Sequence, residues 1–208
     1  DLPSGLTLVT YPNVQGAIFL PEKVRLLFDM HTQMFNPFFR SIRKYKGIPC
    51  LVKAFSAFPE SMANRSRLVI AGEDWGDDVE LRNQIASSPY KHKITFNPNF
   101  IPDDMLPKYF SAADVVALPY LRTSGSGVAH ITMAYGKPII TSDVETMREC
   151  LAGYQGAMFA PAGDLLGIKE GLLEIYKKQK SGEVIFYEPP QNTWDEIVSK
   201  YEEIISQL

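Results

Sequence analysis

The chain has 208 residues, a length that at about 150 residues per domain favours one large α/β domain. With 45% apolar, 12% aromatic and 22% charged residues its composition is that of a globular protein with a real core, which excludes a long unstructured chain. Its 24 acidic against 21 basic side chains leave a net charge of −3, which excludes a surface-wide attraction to nucleic acid and confines phosphate binding to local basic patches.

Near the start, Leu6-Thr7-Leu8-Val9-Thr10 reads as a strand ended by Tyr11-Pro12-Asn13, and residues 21–30 read as a helix. This piece is too small for a second domain. It is expected to be an N-terminal appendage over residues 1–36, or the remnant of another lobe, with a linker near Asn36-Pro37. From residue 37 to 208 short apolar runs alternate with amphipathic stretches. The runs are Phe38-Phe39, Leu68-Val69-Ile70-Ala71, Ile94-Thr95-Phe96, Val115-Val116-Ala117-Leu118, Pro138-Ile139-Ile140-Thr141 and Ala157-Met158-Phe159. Continuous apolar runs of this length are what parallel strands buried on both faces require. Between them the spacing predicts helices over residues 47–58, 77–87, 102–112, 126–135, 144–151 and 164–178. In the first, Ile48, Leu51, Val52, Phe55 and Phe58 form one stripe. A last helix starts at Thr193, with Glu196 at capping-box spacing, after an extended Glu188-Pro189-Pro190-Gln191-Asn192 connector. Strands alternating with helices predict an α/β fold, a doubly wound parallel sheet of Rossmann type whose ligands bind outside the carboxyl ends of the strands.

Cys50 and Cys150 lack the spacing of a disulfide framework or a zinc cluster and read as two ordinary buried thiols. His31, His92 and His130 are scattered, so no metal site is expected, and His130 reads as a structural histidine. No run of 18 apolar residues occurs and the first residues lack the parts of a signal peptide, so the expected location is cytoplasmic, with association at the inner membrane face as the variant. The Asn64-Arg65-Ser66 sequon then carries no weight.

Two segments suit an anion. In Phe38-Phe39-Arg40-Ser41-Ile42-Arg43-Lys44-Tyr45-Lys46-Gly47, an apolar strand ends in four cations and opens a helix, whose N-terminal N–H groups add to the charges of Arg43 and Lys46. In Thr123-Ser124-Gly125-Ser126-Gly127-Val128, small residues permit close backbone approach, Ser124 and Ser126 offer hydroxyls, and Ser126 can cap the next helix. Read alone, the first is equally a solvated basic turn and the second a plain glycine turn.

In order along the chain, these segments resemble the sugar-nucleotide-binding, C-terminal half of retaining GT-B glycosyltransferases of the large group 1 type (family four). Arg43 and Lys46-Gly47 match that family's Arg and Lys-Gly. Further matches are Val69-Ile70-Ala71-Gly72-Glu73, Ile101-Pro102, Tyr109 through Val116, Leu118-Pro119-Tyr120, Met133 through Ile140, Phe159 through Asp164, and Trp194-Asp195-Glu196. There are two departures. Arg40 stands where the family usually has a glycine, and Thr123 and Ile131 stand at the positions of two glutamates eight apart; Ser124-Gly125 looks like the Ser-Gly variant of that loop.

The resemblance implies transfer of a sugar, with retention, from a nucleotide-diphosphate donor to a hydroxyl acceptor, a saccharide or lipid-linked saccharide. It implies no cofactor and no nucleic-acid partner. Arg43, Lys46 and Gly47 would neutralise the diphosphate in place of a metal, and Ser124, Gly125, Ser126 and Gly127 would hold the distal phosphate. Phe100 and Ile101 would contact the base, and Glu73 the donor sugar or ribose. No catalytic residue is assigned, because the acceptor site and base would come from a partner lobe or subunit. Two alternatives stand beside this reading: a non-catalytic nucleotide-sugar or phosphate-binding module, and an epimerase of the same fold.

Overall fold

A computed structural model describes residues 7–8, 18–19, 24–28, 41–42, 44–74, 79–181 and 186–188 of the chain. The expected strand at Phe38-Phe39 and the last helix at Thr193 lie outside the described residues, as do Arg40 and Arg43. In chain order the strands are β1 (Thr7–Leu8), β2 (Ile18–Phe19), β3 (Val24–Phe28), β4 (Ser41–Ile42), β5 (Ser66–Ala71), β6 (Glu73–Asp74), β7 (Ile94–Asn97), β8 (Val115–Leu118), β9 (Ile139–Ser142) and β10 (Ala157–Ala160). The α-helices are α1 (Ile48–Ser56), α2 (Glu60–Ala63), α3 (Val79–Ser87), α4 (Leu106–Ala112), α5 (Gly127–Ala134), α6 (Glu145–Cys150) and α7 (Leu165–Lys180). No helix among the described residues is long and apolar enough to cross a membrane.

Six strands form one sheet in the order β10-β9-β8-β3-β5-β7, every neighbouring pair parallel. The chain therefore starts this sheet at its middle. It runs outward through β5 and β7 on one side, then returns to β8 and runs outward through β9 and β10 on the other. β3 is a correction to the helix expected over residues 21–30: Leu26 pairs with Leu68 on one side and with Val115 on the other. Its Val-Arg-Leu-Leu-Phe run is short and mostly apolar, and such a run carries no period that separates a central strand from a buried helix. The strand expected near residues 6–10 is the short β1, paired antiparallel with β2. The β4–β6 pair, Ser41 with Glu73 and Ile42 with Asp74, and the single turn of α2 have no counterpart in the periodicity.

The pleat divides the core between the two faces. Leu68, Ile70, Val115, Ala117 and Ile140 pack with α1 and α7, whereas Val116, Leu118, Ile139 and Ala71 pack with α4, α5 and α6. β8 is buried along its whole length, as a strand covered on both faces must be. The expected α1 stripe is in place. Ile48, Leu51, Val52, Phe55 and Phe58 are all buried, each worth about 1.5–3 kcal/mol relative to exposure. α7 starts where Asp164 accepts the Leu166 N–H at 3.0 Å, and ends among Lys177, Lys178 and Lys180, whose charges suit a helix C-terminus.

At the amino edge of the sheet, the stretch 186–188 lies across the turns that precede β9 and β10. The Tyr187 N–H donates to the Gly136 carbonyl at 3.0 Å, and the Tyr187 ring meets Tyr154 edge to face at 6.0 Å. The Tyr154 hydroxyl donates to the Lys137 carbonyl at 2.7 Å. A Cβ on Gly136 would fall 2.2 Å from the Phe186 ring.

Candidate functional site

Because the six strands are parallel, their carboxyl ends share one edge. β3 and β8 lie side by side where the strand order reverses, and the loop after β8 leaves from that edge. Crevices of this kind are where open α/β sheets bind ligands.

Two loops meet there. In the basic turn, residues Lys44–Lys46 form one 3-10 turn and Gly47 opens α1 with φ +66, a left-handed conformation suited to glycine. A Cβ on Gly47 would lie 2.0 Å from the Pro119 carbonyl oxygen, just past β8, so the absent side chain is what lets the loops touch. The Leu121 N–H then donates to the Tyr45 carbonyl at 2.7 Å. This contact fixes the direction of Lys46, which is 1% exposed, while its neighbour Lys44 is exposed.

The second loop is ordered by its own small side chains. Thr123 Oγ1 donates to the Gly125 carbonyl at 2.7 Å and accepts the Gly125 N–H at 3.1 Å. Gly125 has φ +145, and the space around its missing Cβ is open. Ser126 is extended and buried, and its Oγ accepts the Ala129 N–H at 3.2 Å, capping α5. The Tyr120 hydroxyl shares a hydrogen bond with the same Oγ at 3.0 Å. Thr146, in the first turn of α6, donates to the Thr123 carbonyl at 2.9 Å and ties the loop down from behind.

Between the loops lies a cavity of about 370 Å³, lined by Tyr45, Lys46, Tyr120, Arg122, Thr123, Ser124 and Gly125. It thus brings together Lys46, Ser124 and Gly125 of the residues singled out from the sequence. Gly47 and Ser126 stand behind them as anchor and cap, and Gly127 begins the capped helix. Arg43 lies outside the described residues. Glu73, half-buried in β6, and Phe100 and Ile101, after β7, are on the same sheet edge but do not line this cavity. Ile101 is 6% exposed within the core on the α4 side, and Phe100 is 46% exposed. Tyr45, Tyr120, Arg122 and Thr123 were assigned no role from sequence. Tyr120 stood in the Leu118-Pro119-Tyr120 match, two residues past a fully apolar strand.

Chemically the cavity offers a buried ammonium, a guanidinium, hydroxyls and the start of a capped helix, whose first N–H groups have no intrahelical acceptors. That set suits an anion rich in oxygen. Among the described residues no three His, Cys, Asp or Glu side chains are grouped to hold a metal. Nearby, the Cys150 sulfur is 3.5 Å from His130 Nε2. Burial pushes the Cys150 thiol up, against a smaller lowering by a hydrogen bond with the Ser126 backbone, so it is not an activated nucleophile. Burial likewise raises the Cys50 thiol, and both cysteines are free.

A family model described as Glycosyl transferases group 1 matches residues 31–188, more than half of the chain. An uncharacterized glycosyltransferase of Methanocaldococcus jannaschii is 33% identical over 110 residues, 51% of this chain and 26% of that protein. Among solved structures, the C-terminal domain of a glycosyl transferase group 1 family protein, LpcC, from Francisella tularensis is 18% identical with a TM-score of 0.64, covering 87% of each chain. HepE of Anabaena, solved in complex with UDP, is 16% identical with a TM-score of 0.66 over 90% of this chain and 50% of that one. The chain thus spans about a quarter of the M. jannaschii protein and half of the Anabaena protein. The structural likenesses show the fold, the Rossmann-like half of a GT-B glycosyltransferase.

Proposed function

From the premise that this chain belongs to the group 1 glycosyl transferases, we propose that it is the donor-binding part of such an enzyme, taking a nucleotide-diphosphate sugar and holding its diphosphate between the basic turn and the Ser-Gly loop. The observation that carries this reading is Lys46, a cation 1% exposed at the wall of a cavity on the carboxyl edge of the sheet. A cation held in that wall is placed to meet the oxygens of an anionic ligand through charge-assisted hydrogen bonds. The UDP bound to the Anabaena protein of the same fold supports a nucleoside diphosphate as that ligand.

The reaction is transfer of the sugar to a hydroxyl acceptor with retention at the anomeric carbon. As the sugar departs, negative charge grows on the nucleoside diphosphate. Lys46 and the proposed Arg43 stabilise it, together with the backbone N–H groups ahead of α5, in a cleft that a second lobe closes against water. These groups supply the counter-charge without a divalent metal. The acceptor and any general base come from that second lobe.

Thr123 and Ile131, in the places of the two family glutamates, favour a second reading, a module that binds the nucleotide sugar without transferring it. Ile131, within α5, is packed against the core and offers no polar group. Turnover when the second lobe is added separates the two readings.

The test is calorimetric titration with UDP, GDP and ADP in the presence of a chelator, against the corresponding nucleosides. At least one diphosphate binds and its nucleoside does not. Lys46→Gln or Arg43→Ala weakens that binding by about 1.5–3 kcal/mol, the range for hydrogen bonds to charged groups. Lys44→Ala, on an exposed side chain, changes it only through the salt-screened field. Equal losses from all three substitutions, erased by high salt, would leave only a general basic patch.

A further inference from the structure

The loop that carries Ser124 and Gly125 into the cavity is held from outside it, by α6. Ser124 and Gly125 are exposed at the cavity wall, whereas Thr146, in the first turn of α6, does not line it. Thr146 and Cys150 share one face of that helix, as positions four apart do, and both meet the loop. Thr146 Oγ1 donates to the Thr123 carbonyl at 2.9 Å, and Cys150 makes a hydrogen bond with the Ser126 backbone. On the neighbouring face Met147 and Leu151 are buried in the core. Arg148 pairs with Asp143 at 2.7 Å, just past β9, and its guanidinium lies over the Phe159 ring of β10 at 5.1 Å. α6 is thus fixed to the sheet on one side and grips the loop on the other. The grip on Thr123 has a direction. The peptide that joins Thr123 to Ser124 is planar and trans, so its carbonyl and its N–H point to opposite sides. Holding the carbonyl toward α6 turns the Ser124 N–H the other way, toward the cavity that Ser124 lines. An N–H so turned suits an anion, which the carbonyl in its place would repel.

We propose that Thr146 is a positioning residue for the diphosphate: by holding the Thr123 carbonyl against α6 it aims the Ser124 N–H at the distal phosphate. The inference rests on the donor-binding reading above and gives Thr146 itself no contact with the ligand. The loop meets the phosphate already oriented, so less of the binding free energy goes into ordering an exposed segment. Thr123 serves through its backbone and through the small turn that its hydroxyl closes with Gly125.

The experiment titrates the 208-residue chain with UDP, GDP and ADP and with UMP, GMP and AMP, which lack the distal phosphate, at a temperature where every variant is folded. Thr146→Val keeps the shape of the side chain and removes its hydroxyl. It weakens the diphosphate that binds by about fivefold, the factor carried by one ordinary hydrogen bond, and the matching monophosphate by less than about twofold. The preference for diphosphate over monophosphate therefore shrinks. Thr146→Ser, which keeps the donor, restores it. In a proton–nitrogen NMR titration of the unaltered chain the Ser124 N–H resonance moves with the diphosphate and not with the monophosphate, a result that depends on no variant. Unchanged diphosphate affinity in Thr146→Val overturns the inference, as does an equal loss of both nucleotides, which marks a general effect on the fold. A Thr146→Ser variant as weak as Thr146→Val overturns it too, since packing and not the hydroxyl then holds the loop. A Ser124 resonance that ignores the diphosphate does the same. Failure of the donor-binding reading looks different: none of the three diphosphates binds the unaltered chain, or binding survives Lys46→Gln, and the inference then falls with that reading.

Discussion

The two edges of the sheet are built from the same kinds of residue to opposite ends. At the amino edge, Gly136 leaves room for an aromatic ring, and Phe186, Tyr187 and Tyr154 fill the space around the turns before β9 and β10. At the carboxyl edge, Gly47 leaves room for another loop, and the space beyond is left as a cavity with a buried lysine in its wall. One edge closes on itself with apolar surface; the other retains polar groups that a ligand can use. Stability and binding should therefore separate between the edges, and substitutions can be chosen to test that separation.

Gly47→Ala should break it most severely. The new Cβ meets the Pro119 oxygen in a left-handed backbone position, and both relief of the clash and the strain act on the fold, at a cost of about 3 kcal/mol. Denaturant unfolding should show this loss, and diphosphate binding should fall with it because Lys46 moves. Tyr187→Ala probes the other edge. Removing a half-buried ring that packs on Tyr154 should cost about 2 kcal/mol in the same measurement, while diphosphate affinity at a temperature where the variant is folded should not change.

How far these edges were legible in the sequence follows from the range of the interactions that make them. The strands β8 and β9 and the helix stripe of α1 could be read directly, since burial on both faces leaves an uninterrupted apolar run and burial on one face leaves a period. β3 was misread because its five residues carry neither signal; only its two partners, Leu68 and Val115, distant in the chain, make it a strand. Lys46, Ser124 and Gly125 were visible as a basic turn and a small-residue loop. Arg122, Tyr45 and Tyr120 were not, because they become a wall only when Gly47 touches Pro119, and no local pattern encodes that contact. Ile101 illustrates the reverse case. Its position after β7 drew attention, yet its side chain is buried in the core.

Ser126→Ala should give a smaller, mixed effect that sharpens the comparison. It removes the cap on the Ala129 N–H and the partner of the Tyr120 hydroxyl, so about 1 kcal/mol of stability should go, together with a modest part of diphosphate affinity. The last effect belongs to Tyr154, whose replacement by Phe loses the hydrogen bond to the Lys137 carbonyl at every pH and shows its pH dependence only in alkali. Burial, with a smaller contribution from Tyr187, raises the phenol above its usual value near 10. Below about pH 10 the phenol is neutral folded and unfolded, and the stability it contributes is fully present. Above that, the unfolded chain releases a proton that the native state retains, so stability falls as pH rises toward the folded value. Tyr154→Phe should flatten this alkaline decline in a pH series of melting temperatures and leave the cavity unaffected.

The contact of Gly47 with Pro119 also joins ligand occupancy to the integrity of the middle of the sheet. The same few atoms hold α1 against the end of β8 and shape the wall that carries Lys46, so loosening that junction would deform the cavity and the core together. By mass action, any compound that binds the cavity of the folded chain and not the unfolded one must then add to folding free energy, about 2.7 kcal/mol at a concentration one hundred times its dissociation constant. On the donor-binding reading the nucleotide sugar is then also a folding ligand, and a damaged junction such as Gly47→Ala is the place where its rescue would be largest.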